Sequence, residues 1–174
     1  MNIKKISLPK DSLATSYFKK YHYADAYQAS FTNSNKVTAT HVVKSFITAT
    51  PSWVLWLMKI RNAVVKLFGL KAPKVKDIEE SINNFQGKVG DSFAGSFKVL
   101  AVKEGEILTG EADKHLDFCL SFIIQERGSS YQIRLVTVVY FNNWLGRLYF
   151  LPVKPMHKLI VISLLKRMVK ELDI

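Results

Sequence analysis

The stretch "SFKVLAVKEGEILTGEADKHLDFCLSFIIQERGSSYQIRLVTVVYFN", residues 96–142, constrains the fold more than any other part of the chain. β-branched and aromatic residues dominate it, and polar and apolar positions alternate over much of its length. Turn chemistry interrupts it at Glu104–Gly105, near 112–115 and at "RGSS", 127–130. The pattern gives four consecutive strands, near 96–103, 106–112, 115–126 and 131–142. Consecutive strands joined by short turns form an antiparallel meander. After Asn143 the period changes. "WLGRLYFLPVKPMHKLIVISLLKRMVKELDI" reads as a long, mostly apolar helical region that Pro152 and Pro155 should kink or divide.

The elements before the meander are fewer. "ADAYQASF", 24–31, sets Ala24, Ala26, Gln28 and Ser30 against Asp25, Tyr27, Ala29 and Phe31, and is expected to be the first strand. Thr38 is a suitable N-cap for a helix through "ATHVVKSFITAT". Pro51 suits the first turn of a second helix over 51–68, with Gly69 as its stop. Residues 71–77 read as a linker, 78–86 as a short helix and 87–97 as a glycine-rich loop running into a strand. Residues 1–22 read as a lead-in and 23–174 as one domain, which suits a chain of 174 residues.

The net charge of +11 favours acidic partners through long-range attraction. Two runs concentrate cations: Lys59, Arg61, Lys66, Lys71, Lys74 and Lys76 without an acid among them, and then Lys154, Lys158, Lys166, Arg167 and Lys170. No nucleic-acid motif accompanies them, so specific nucleic-acid binding is not expected. The basic helix at 51–68 is the place where a peripheral contact with anionic membrane would form. The apolar runs at 53–70 and 159–169 do not read as membrane spans, the first being interrupted by cations and the second too short. One cysteine, Cys119, excludes an internal disulfide and a multi-cysteine zinc site. With no signal-like start, a cytoplasmic protein is expected.

"GEADKHLDF", 110–118, concentrates Glu111, Asp113, His115 and Asp117. On one unbroken strand these would share a face and could bind a metal or move a proton. A turn near 112–115 breaks that face and gives Asp113 a turn-fixing role. From His115 onward, Asp117, Cys119 and Ser121 would face one way, and Leu116, Phe118, Leu120 and Phe122 the other, as the core or cavity wall. His115 and Asp117 can pair with each other or with Arg134. No short metal-ligand spacing is present, so neither a metal nor another cofactor is expected.

Three motifs, "TPSWVLWLMKIRNAVVKLFGLK", "HLDF" and "FNNWLGRLYFLPVKPMHKLIV", together resemble a largely uncharacterised bacterial DUF-type family of the START-like (SRPBCC, helix-grip) superfamily. The resemblance runs from about Tyr23 to the end. That family also occurs as the C-terminal module behind NAD(P)-binding, epimerase-like domains, and this chain carries no glycine fingerprint of such a domain. The resemblance implies an α+β helix-grip fold, an antiparallel sheet wrapped around the C-terminal helix with two helices after the first strand. It implies a cavity between sheet and helix for a small, largely apolar molecule. Tyr149, His157 and Arg147 would fix its polar end, against a wall including Phe118, Leu120 and Trp53. Arg147 would otherwise serve Asp117. Trp53, Trp56 and Trp144 are expected in the core or as a lid. The rival readings are a cavity enzyme using His115, Asp117 and His157 for acid–base chemistry, and a basic surface-interaction protein. The enzyme reading requires at least two of those three in one pocket. Oligomeric state is not legible in the sequence.

Overall fold

Two turn glycines set the hairpins. Gly105 and Gly128 have φ of +70° and +62°, a region that L side chains rarely adopt, and they reverse the chain between long strands. A Cβ on Gly105 would come within 2.8 Å of the Ile124 carbonyl oxygen. The computed structural model describes residues 3–67, 82–93 and 97–173. Its elements are β1 (Lys4–Lys5), α1 (Leu13–Tyr17), β2 (Tyr23–Thr32), α2 (Ala39–Thr48), α3 (Ser52–Leu67), β3 (Ser92–Phe93), β4 (Phe97–Lys103), β5 (Glu106–Ala112), β6 (Leu116–Arg127), β7 (Ser130–Phe141) and α4 (Trp144–Leu172).

The strands form one antiparallel sheet in the order β1-β2-β7-β6-β5-β4-β3. The meander is as expected, and β2 closes on its last strand. This is an α+β chain whose long C-terminal helix lies on the sheet, a layout compatible with the helix-grip expectation. The expected Gly69 stop and the linker at 71–77 lie outside the described residues. Of the short helix expected over 78–86, residues 82–84 are helical.

Alternation gives the sheet two unlike faces. The inner face carries Tyr27, Phe31, Leu135, Ile133, Phe122 and Ile107, which pack with Val42, Val43 and Ile47 of α2 and with Val161, Leu165, Met168 and Val169 of α4. Each such buried aliphatic or aromatic side chain contributes roughly 1.5–3 kcal/mol of transfer free energy. The outer face carries a smaller core of Ala26, Leu108, Cys119, Val136 and Val138 beneath Ala14 of α1.

Residues 1–22, which suggested no element to the sequence reading, supply β1 and α1. Their anchor is Glu106, a carboxylate 1% exposed on the outer face. It accepts from the Ser12 hydroxyl at 2.7 Å, from the Leu13 N–H at 2.8 Å and from Ser121, and it pairs with Lys103 at 2.9 Å. A buried charge persists only with such satisfaction.

The two prolines do not divide the C-terminal helix: α4 runs unbroken over 29 residues. Pro152 and Pro155 remove the donors that would serve the Leu148 and Leu151 carbonyls. Leu148 and Leu151 are 53% and 65% exposed, so those carbonyls lie on the solvent side and lose little. By length and composition alone α4 is also long and apolar enough to cross a bilayer. Its second half is instead held against sheet and α2.

Candidate functional site

β2 and α4 bring three polar side chains together on the inner face. Asp25 is the third residue of β2, opposite Thr137 of β7, which is in turn opposite Leu120 of β6. Its side chain is 1% exposed. Oδ2 accepts from the Tyr23 hydroxyl at 2.5 Å and lies 3.1 Å from His157 Nδ1 on α4. Oδ1 closes no hydrogen bond with a described residue. Burial opposes the Asp25 charge. The hydrogen bond and charge of His157, with the hydroxyls of Tyr23 and Thr137, outweigh it and hold the carboxyl below its ordinary range. Burial and the neighbouring carboxylate push the Tyr23 phenol upward, so Tyr23 is a donor to Asp25.

Aromatic packing fixes the first turns of α4 over this group. The Tyr23 ring lies 4.9 Å from that of Phe150 and 5.8 Å, edge-on, from the His157 ring, and Phe141 lies 5.4 Å from Phe150. Asn143 caps the helix, its side chain accepting from the Gly146 N–H at 3.1 Å. Gly146 is required by close approach, because a Cβ there would come within 2.1 Å of the His115 carbonyl oxygen. The imidazole of His157 is thus held by one nitrogen, leaving Nε2 outside the Asp25 contact. That arrangement can orient a ring for proton transfer, and the unpaired Asp25 oxygen can accept from a donor.

The residues singled out from sequence fall in several places. His157 is at the centre of the cluster. Phe118 and Leu120 are on the same inner face, Phe118 half-buried with its ring 5.4 Å from Phe97. Tyr149 is half-buried two turns before His157. Arg147 is exposed, and its expected pairing with Asp117 does not form. Asp117 Oδ1 instead accepts from the Asp113 N–H at 3.1 Å and from Asn142 Nδ2 at 3.0 Å. His115 pairs with neither Asp117 nor Arg134; its Nδ1 meets the Asn143 amide at 3.2–3.3 Å. Arg134 turns to Gln125 and Gln132. The trio His115, Asp117 and His157 therefore does not assemble: Asp117 is on the outer-face side of β6, while His157 covers the inner face. The alternation in "GEADKHLDF" is spent on the hairpin turn and the entry into α4.

Of the two places expected for the tryptophans, core or lid, the core is excluded. Trp53, Trp56 and Trp144 are 39%, 61% and 69% exposed, because they stand on the outward sides of α3 and α4. Cys119 is buried under α1, and burial pushes its thiol up to about 12, which makes it a poor nucleophile.

The sequence reading did not single out Tyr23, Asp25 or Thr137. Asp25 left a signal, standing on the same strand face as Tyr27, Ala29 and Phe31. Two surface hollows lie elsewhere. One, of about 490 Å³, is beside the β6–β7 turn at Asn33, Gly128 and Tyr131. The other, of about 430 Å³, is by α1, at Tyr17, Phe18, Lys98 and Leu100. Among the described residues no group of three His, Cys, Asp or Glu side chains could hold a metal ion.

A family model described as a protein of unknown function, DUF2867, matches residues 17–164. That span includes Tyr23, Asp25, Thr137 and His157. No curated protein matches the chain.

Proposed function

The chain belongs to the DUF2867 family, and from that premise we propose that it binds a small, largely apolar molecule at the inner face, between the sheet and the first half of α4. One observation carries the reading: Asp25 is buried beside the Tyr23 and Thr137 hydroxyls and the His157 ring, and its Oδ1 closes no hydrogen bond with a described residue. Buried polar atoms are ordinarily satisfied, and an exception calls for a partner. The partner's polar end would be a hydroxyl, amide or ammonium donor to Oδ1. Its apolar body would lie against Phe118, Leu120 and Phe150, with Tyr149 beside it. A START-like superfamily placement and a cytoplasmic setting both suit this reading.

The same cluster favours a second reading, in which the bound molecule is a substrate. His157, oriented by Asp25, would act as a general base through Nε2. The earlier assignment of acid–base work to His115 and Asp117 does not return.

Native mass spectrometry of gently purified protein tests the first reading. The expected result is a retained small molecule on the wild type that is lost from Asp25→Ala. Bare polypeptide in both would contradict it. Incubating the released molecule with fresh protein then separates the readings, since only a substrate changes mass.

A further inference from the structure

The outward face of α4 has no partner among the described residues, and it is not built like the surface of a helix that meets only water. Trp144, Leu148, Leu151 and Leu159 are 69%, 53%, 65% and 60% exposed. With Pro155 they fall at i, i+4, i+7, i+11 and i+15, which is one line along a helix. Isolated exposed apolar residues need no explanation, but a continuous stripe does.

Charge decides what the stripe fits. Arg147, Lys154 and Lys158, all exposed, run along one flank of it. The same outward line continues beyond Leu159 as Lys166 and Lys170. The helix carries no carboxylate before Glu171. A second copy of this chain would bring an equally basic face and a net charge of +11 against it. A bilayer with anionic headgroups satisfies both parts, taking the apolar side chains into its acyl boundary and the cations at its phosphates. An exposed tryptophan at one end suits the headgroup level. α3 repeats the composition, with Trp56 and Ile60 exposed beside Lys59 and no carboxylate in its length.

We propose that the Trp144–Leu159 face of α4 is a docking surface for anionic membrane, on which the protein lies peripherally. This does not depend on the inner-face ligand, and it adds α4 to the membrane contact expected at residues 51–68.

The test is co-sedimentation of the full chain with phosphatidylcholine vesicles, with and without about one-third phosphatidylglycerol. The expected result is binding only to the anionic vesicles, weakening as salt shortens the screening length. A variant combining Leu148→Ser, Leu151→Ser and Leu159→Ser should lose about a hundredfold or more in partitioning. Its thermal unfolding should shift only slightly, because those side chains are already largely in water. A second variant, Lys154→Glu with Lys158→Glu, should lose about tenfold or more without touching the apolar stripe. Any of four results would overturn the proposal: no sedimentation with either vesicle, full binding by the triple-serine variant, a solution dimer that this variant dissociates, or a pellet that survives an alkaline carbonate wash. The third would assign the face to a second copy, and the fourth to a spanning helix.

Discussion

The two halves of α4 are one helix with opposite surroundings. From Val161 onward the helix is core: Val161, Leu164, Leu165, Met168 and Val169 are 0–6% exposed. Its end is tied at three points. Glu171 accepts from the Thr48 hydroxyl of α2 at 2.7 Å. The Leu172 carbonyl accepts from Asn33 at 2.7 Å, and Asp173 accepts from the Thr32 N–H and hydroxyl at 2.8 and 2.7 Å. Before Ile160 the same helix buries only Gly146 and Phe150. It touches the sheet through an aromatic cluster and the Asp25–His157 contact, and turns a stripe of leucines outward. Apolar side chains thus serve stability in one half and are left open in the other. The lesson is that an apolar helix is explained by what covers each face, not by its composition.

Substitutions can break this comparison in a graded way. Leu165→Ala should cost about 2–5 kcal/mol, as a fully buried side chain in a packed core. Urea unfolding measures it, and a cost as small as that of a surface change would remove the core half from the account. Gly146→Ala should cost about 1–3 kcal/mol, because the helix start must move off the His115 carbonyl. The same unfolding measurement applies, and an unchanged midpoint would mean that α4 enters more loosely than described. Asn143→Ala removes the cap and should cost about 1 kcal/mol. Leu151→Ala, with its side chain already largely in water, should change stability by no more than about 0.5 kcal/mol.

A pH series sharpens the junction between the halves. The Asp25 carboxyl titrates below its ordinary value of 3.8 in the folded protein, so the unfolded chain takes up its proton first as pH falls. The stabilisation is fully present above that ordinary value and is lost as pH falls through the lower, folded one. Melting temperatures followed from about pH 5 down to about pH 2 should fall more steeply for the wild type than for Asp25→Asn. Parallel curves would mean that the carboxylate is no more favoured folded than unfolded.

How much of this was legible in the sequence follows the range of the interactions. The meander could be read because its determinants are local: alternation inside each strand and turn residues between them. α1 could not, since its anchor Glu106 is 93 residues from Leu13. The continuity of α4 was obscured by Pro152 and Pro155, whose cost depends on whether the freed carbonyls face solvent. His157 was found from helical spacing, and Asp25 was legible as the one charged residue on an apolar strand face. The core place allowed for Trp53, Trp56 and Trp144 fails because aromatic residues at helical spacing give the same pattern whether the helix faces a core or another surface. His115 and Asp117 looked chemical because charges alternated, but Asn142 and Asn143, far along the chain, claim them for the turn.

The claim that the two halves of α4 do different work is tested most directly by amide hydrogen exchange along the helix. The account predicts that amides from Val161 to Val169 exchange only through global unfolding, while those from Leu148 to Leu159 open at lower free energy and gain protection on anionic vesicles. Uniform protection from one end of the helix to the other, unchanged by vesicles, would contradict it.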